Sequence, residues 1–255
     1  MLHYEVFGKG PPVILLHGYQ GSWGLWQATM EILGASYRTY AVDFWGFGES
    51  GARRSSYAVE DFVSLVVQFM GQMGITHAPL VGHSMGGTVA LLVAAHHPQS
   101  VDKVVAISAP IVGSSLRFFP RIFGYRPVGW LTYHNLWLYR RLYRLLARSY
   151  STDPNWANMM DHGVSHTTVG AFFASIGSLR RTDLRPILPR LAVPVLGIYG
   201  GRDNVVDPDQ GRLLQSAIAG ARTEHFPAAG HFIMLDDPVA FLGRLNAFLD
   251  ETAPR

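Results

Sequence analysis

The strongest constraint on what this chain can fold into is a junction. Ala78-Pro79-Leu80-Val81, an apolar run, leads directly into Gly82-His83-Ser84-Met85-Gly86 and then into a small-residue apolar pattern from Gly87 to Ala95. A strand that turns at once into a helix lifts the central serine out of the sheet. It also aims the helix N-terminus, with its free N–H groups and positive dipole end, at any negative charge that develops there. A serine hydroxyl is a weak nucleophile unless a base removes its proton and the following oxyanion is stabilised. Gly82 and Gly86, two residues either side of Ser84, let the backbone make the turn without Cβ clashes. A pentapeptide of this form also arises by chance in a chain with 27 glycines. The rest of the sequence has to decide.

Apolar, β-branched runs predict strands at about 2–7, 12–16, 37–42, 78–82, 103–108, 194–199 and 222–226. Between them, Val59, Phe62, Val63, Val66, Phe69, Met70 and Met73 repeat at helical spacing, as do segments after the elbow, at about 208–219 and at about 238–251. Strands alternating with helices specify an α/β fold, a mostly parallel sheet with helices on both faces. A chain of 255 residues, 48% hydrophobic, is long enough for one well-buried domain carrying an insertion. The alternation stops between about 111 and 190, where aromatics and arginines dominate. That block is expected to be a helical cap inserted between core segments 1–110 and 191–255.

Three other segments supply what Ser84 would need. His17-Gly18-Tyr19 ends the second strand, where a loop can aim the N–H of Tyr19 at an oxyanion beside the N–H of Met85. Tyr199-Gly200-Gly201-Arg202-Asp203 puts Asp203 at the carboxyl edge of the sheet, the edge where open α/β sheets bind ligands. Ala229-Gly230-His231-Phe232 follows the last strand on the same edge. His231 is the expected base and Asp203 the group that fixes its tautomer. Among the 11 histidines, His83 points along the elbow and His225 falls inside a strand pattern. Asp207, one turn beyond Asp203, is a second candidate for the acid. The strand before the insertion ends Ser108-Ala109-Pro110 and offers none.

Taken together, His17-Gly18, Asp43-Phe44-Trp45-Gly46-Phe47-Gly48-Glu49-Ser50, the elbow, Gly200-x-x-Asp203 and Gly230-His231 resemble the α/β-hydrolase superfamily over nearly the whole length. The resemblance implies the α/β-hydrolase fold, a triad in the order Ser84, Asp203, His231, and the serine branch of that superfamily. Relatives that act on epoxides or haloalkanes carry aspartate as nucleophile, so Ser84 argues against both. Many members carry Arg or Pro where this chain has Trp45, at a position that can face substrate. Trp45 and Phe232 are therefore the expected pocket residues. The expected reaction is hydrolysis of a small-molecule carboxylic ester with a short-to-medium or aromatic acyl group, through an acyl-enzyme on Ser84. C–C bond (dienoate-type) hydrolysis, thioester hydrolysis and a ligand-sensing receptor on the same fold stay open. Phe118, Phe119, Phe123, Tyr125 and Trp130 suggest an apolar or aromatic substrate. No cofactor or metal is required.

Other patterns are weaker. Gly46 to Gly51 fits a dinucleotide-binding G-x-G-x-x-G, but the following Ala52-Arg53-Arg54-Ser55-Ser56 reads as loop where a helix must begin. His162 and His166 share a helix face without the intervening carboxylate of a metalloprotease helix. With no cysteine, disulfides and thiolate chemistry are excluded. Met1 to Phe7 reads as a strand rather than a secretory signal, and no apolar run spans a bilayer, so a cytoplasmic protein is expected.

The net charge of +3 is unevenly spread: 111–149 carries seven arginines and no Asp or Glu. Within it, Arg140, Arg144 and Arg148 line one face of an otherwise aliphatic and aromatic helix. Three readings follow: a lid helix burying its apolar side over the pocket, a basic amphipathic surface touching anionic membranes or lipid droplets, or a site for an acidic substrate moiety such as a CoA phosphate. Arginines set among Leu and Trp, with no recognition motif, do not suggest nucleic acid. The oligomeric state is not written in the sequence.

Overall fold

The computed structural model describes residues 1–52, 56–117 and 125–251. Its seven strands are β1 (Tyr4–Phe7), β2 (Pro12–Leu16), β3 (Arg38–Val42), β4 (Ala78–His83), β5 (Val101–Ile107), β6 (Val195–Gly200) and β7 (Arg222–Phe226). They form one sheet in the order β1-β3-β2-β4-β5-β6-β7. Only β1 runs antiparallel, against β3; every other pairing is parallel. Each predicted strand is present with ends shifted by no more than two residues.

Parallel strands are buried on both faces, and the side-chain period of two divides the sheet accordingly. On β2, Ile14 and Leu16 join one core while Val13 and Leu15 join the other. The first core lies under α2 (Val59–Gln72) and α3 (Met85–His96); the second lies under α1 (Gln27–Leu33) and the C-terminal helix at Pro238–Asp250. α2 is the amphipathic helix its spacing predicts, with Phe62, Val66 and Phe69 buried. α3 is apolar all round and fully buried over most of its length, as befits a helix enclosed by its neighbours.

Between β5 and β6 the described residues form α4 (Arg126–His134), α5 (Leu136–Leu145), α6 (Ala147–Tyr150), α7 (Trp156–Ser165) and α8 (Val169–Arg181). Beyond them come α9 (Gln210–Ala217), α10 (Ile233–Asp236) and α11 (Pro238–Asp250). Phe118, Phe119, Arg121 and Phe123, and Arg53, Arg54 and Ser55 in the middle of the predicted 52–56 loop, lie outside the described residues. None of the described helices is long and apolar enough to cross a membrane.

Candidate active site

Because β2 to β7 run parallel, their carboxyl ends share one rim, and the loops after them carry His17, Asp43, Ser84, Asp203 and His231. Ser84 leaves β4 with φ 53° and ψ −119° and serves as N-cap of α3. Positive φ costs a non-glycine residue about 1–3 kcal/mol, a strain the surrounding structure must hold in place. The glycines show how it is held. A Cβ on Gly86 would stand 2.3 Å from Leu16 O, and one on Gly82 would stand 2.2 Å from Gly86 O. The elbow is pressed against the end of β2 as well as against itself.

The loop after β2 lies on the elbow. A Cβ on Gly18 would come within 3.0 Å of Ser84 Cβ. His17 fixes this loop: Phe44 N–H donates to His17 Nε2 at 3.0 Å, so Nδ1 carries the hydrogen and donates to Gly18 O at 2.7 Å. Burial depresses the His17 pKa despite the nearby Asp43 carboxylate, which keeps the ring neutral. Tyr19 lines the cavity above Ser84, its hydroxyl donating to Phe172 O at 2.9 Å. Met85 opens α3, where first-turn N–H groups have no partner within the helix; its side chain belongs to the core.

His231 Nδ1 donates to Asp203 Oδ2 at 2.7 Å, both side chains being buried. The other oxygen, Oδ1, accepts from Val205 N–H (2.8 Å) and Val206 N–H (2.9 Å). With Nδ1 committed, His231 Nε2 is left as an acceptor. The structure thus pairs His231 with Asp203 and lines one cavity with His231 and Ser84 together. Asp207 is half-exposed and lies 4.0 Å from Arg117 instead.

His83 holds the histidine loop from below. Its Nε2 donates to His231 O at 2.9 Å, and its ring lies 4.7 Å from that of His231. Burial, then the neighbouring His231, push its pKa far down, so it is a neutral spacer. Asp236 clips the same loop to the inserted helices: Gly230 N–H donates to Oδ2 at 2.6 Å, while Ser151 Oγ–H and Thr152 N–H donate to Oδ1, each at 2.7 Å. Neither role has a sequence signature.

The cavity wall differs from the expected one. Phe232 lines it, next to His231. Trp45 does not: it packs against the first core. The reason is a long-range contact: Thr168 N–H donates to Gly46 O at 2.8 Å and ties the Trp45 loop to the start of α8. Tyr125 and Trp130 are exposed and absent from the wall. In their place Tyr139, Leu142 and Tyr143 on one face of α5, Leu146 just past its end, and Trp156, Met159 and Met160 of α7 close the cavity. That spacing of three and four was visible in the sequence but was overshadowed by the arginines. Gln20 adds one polar group to this apolar wall. Tyr139 O–H donates to its Oε1 at 2.8 Å, and its Nε2, although buried, has no hydrogen-bond partner.

The remaining patterns resolve simply. The Gly46–Gly51 turn is organised by the chain's own Asp43, whose Oδ2 accepts Glu49 N–H at 2.9 Å and whose Oδ1 accepts Trp23 N–H at 2.6 Å. His162 and His166 stack with ring centres 4.2 Å apart on the protein surface. Among the described residues no three His, Cys, Asp or Glu side chains are grouped to hold a metal ion.

Comparison with known proteins extends this picture. Residues 11–238 match the sequence model described as alpha/beta hydrolase fold. A pimeloyl-[acyl-carrier protein] methyl ester esterase of Vibrio vulnificus is 26% identical over 253 residues, covering 97% of each chain. An uncharacterized protein of Mycobacterium tuberculosis is 27% identical over 269 residues, which span 98% of this chain and 79% of that one. The crystal structure of the enol-lactonase from Burkholderia xenovorans LB400 superposes with a TM-score of 0.85 at 26% identity, covering 98% of this chain and 96% of the other.

Proposed function

This chain belongs to the alpha/beta hydrolase family, and on that premise we propose that it hydrolyses carboxylic esters through an acyl-enzyme on Ser84. The observation that carries the reading is the buried 2.7 Å bond from His231 Nδ1 to Asp203, which leaves Nε2 free in the cavity that Ser84 lines. Ser84 Oγ attacks the acyl carbon while His231 Nε2 takes its proton. The oxyanion accepts hydrogen bonds from the Tyr19 and Met85 N–H groups. Collapse of the tetrahedral intermediate expels the alcohol, which leaves with the proton from His231. Water, deprotonated by the same nitrogen, then attacks the acyl group and releases the acid. Asp203 remains ionised throughout and steadies the imidazolium.

Helices α4–α8 act as a cap, and the apolar wall from α5 and α7 suits a short-to-medium acyl chain. An ester is favoured over a C–C bond because the pimeloyl methyl ester esterase and the enol-lactonase are both named for ester-type bonds. The Gln20 amide supports the same choice, as a spare donor for an ester oxygen.

The test pairs turnover with labelling. p-Nitrophenyl esters from acetate to octanoate should be hydrolysed, and a fluorophosphonate should add one adduct to Ser84. Ser84→Ala, folded as judged by circular dichroism, should lose about 10⁴-fold or more of the activity. Turnover unaffected by that substitution, or a protein that binds esters without cleaving them, overturns the proposal.

A further inference from the structure

The helix that closes the cavity has three faces, and the cavity uses only one. Tyr139, Tyr143 and Leu146 point to the cavity. About a hundred degrees round, Arg140 and Arg144 meet Asp161 of α7. Arg140 Nε lies 3.7 Å from that carboxylate, and Arg144 and Tyr143 both donate to it. Burial works against ionisation of Asp161, but these hydrogen bonds outweigh it and hold the carboxyl below its ordinary range. The arginines expected to line one face are therefore divided.

The third face does not line the cavity. It carries Trp137 (66% exposed), Leu138 (53%) and Leu145 (81%). Exposed Arg141 lies within the same arc and exposed Arg148 follows it on α6. Neither arginine has an acidic partner among the described residues. On α4, Trp130 and Leu131 are also more than half exposed. Large apolar side chains in water are costly, and soluble surfaces rarely gather several of them.

We propose that this face of α5 docks onto an anionic lipid bilayer. Tryptophan and leucine beside arginine is the composition of helices that lie in a membrane interface, where indoles sit at headgroup depth and guanidinium groups reach lipid phosphates. A 10-residue helix is far too short to span and would lie along the surface. A second copy of this chain is a poorer occupant. A two-fold contact would set Arg141 and Arg148 against the same residues of the other copy, in a segment, 111–149, that has no Asp or Glu to neutralise them. Leu142 joins this surface to the cavity, being 39% exposed and part of the wall. Docking would set the cavity rim against the lipid. The inference concerns binding and stands whether or not Ser84 cleaves esters.

The test is sedimentation with vesicles of phosphatidylcholine alone or containing about one-third phosphatidylglycerol. The full chain should bind the anionic vesicles at least about tenfold more tightly, and 0.5 M salt should weaken that binding. Trp137→Ser with Leu138→Ser and Leu145→Ser, and separately Arg141→Glu with Arg148→Glu, should each lower it about tenfold or more. None of these residues lines the cavity, so hydrolysis of a soluble p-nitrophenyl ester, if present, should stay within about twofold of wild type. Equal binding to both vesicle types, or unchanged binding by either folded variant, overturns the proposal. So does a dimer in light scattering that the serine variant abolishes, with no vesicle binding by wild type.

Discussion

Ser84 works from a backbone conformation that its neighbours impose, and the imposing groups are carbonyl oxygens. Gly86→Ala should therefore be among the costliest single-methyl additions in the molecule. The new Cβ would meet Leu16 O at 2.3 Å and His17 O at 2.6 Å, neither of which can rotate away. A loss of about 1–3 kcal/mol or more is expected in urea denaturation, along with lower reactivity of Ser84 toward a fluorophosphonate. Wild-type stability and labelling would contradict the account of the elbow. At this scale the places of Ser84, Asp203 and His231 were legible because each lies in a loop that leaves the carboxyl end of a strand, so placing β4, β6 and β7 placed the loops that carry them. Trp45 was not, because its direction depends on a long-range bond from Thr168 to Gly46. The spare amide of Gln20 was equally hidden, since the Tyr139 hydroxyl that holds its oxygen lies 119 residues away.

Elements meet at Asp236, which closes α10 and accepts from both the histidine loop and the segment after α6. Asp236→Ala would strand four donors, Gly230 N–H, Ser151 Oγ–H, Thr152 N–H and Thr152 Oγ1–H, on two separate segments. Stability should fall by about 1–3 kcal/mol, and turnover should fall further than Tm alone explains, because the Gly230 anchor beside His231 is lost. Asp236→Asn, which keeps one acceptor oxygen, should recover part of both. Unchanged turnover in the alanine variant would show that the clip plays no part in holding His231. The strands and long helices were readable from periodicity, since burial on both faces or along one stripe leaves that mark. α10 was missed: its four residues are too few for any period to show. The division of the arginines on α5 was also illegible, because it is set by Asp161 on a different helix.

Over the whole molecule, two neutral imidazoles make stability depend on pH. His17 and His83 are buried beneath the rim, and both have pKa values depressed by that burial. The unfolded chain binds their protons near pH 6.5 and the folded chain resists doing so. Their contribution is thus complete above about pH 6.5 and lost progressively as pH falls below it. Tm should drop between pH 7.5 and 5.5, and His83→Gln should flatten that slope. A wild-type Tm that rises on acidification through this window would contradict the assignment of neutral rings. A mostly parallel sheet covered on both faces follows from the alternation of strands and helices in the sequence, whereas the strand order and the identity of the cavity wall do not. The wall comes from α5 and α7, whose packing over the rim no local pattern records.

The Asp236 clip also bears on how such a protein can be recombined. A chimera that exchanges the stretch between β5 and β6 for a relative's would discard Ser151 and Thr152 while keeping the carboxylate that grips them. Its histidine loop would then lose its tie to the inserted helices. On the proposed mechanism, substrate range and proton transfer would be inherited together, and a swap aimed at the first should carry those two hydroxyl residues with it to preserve the second.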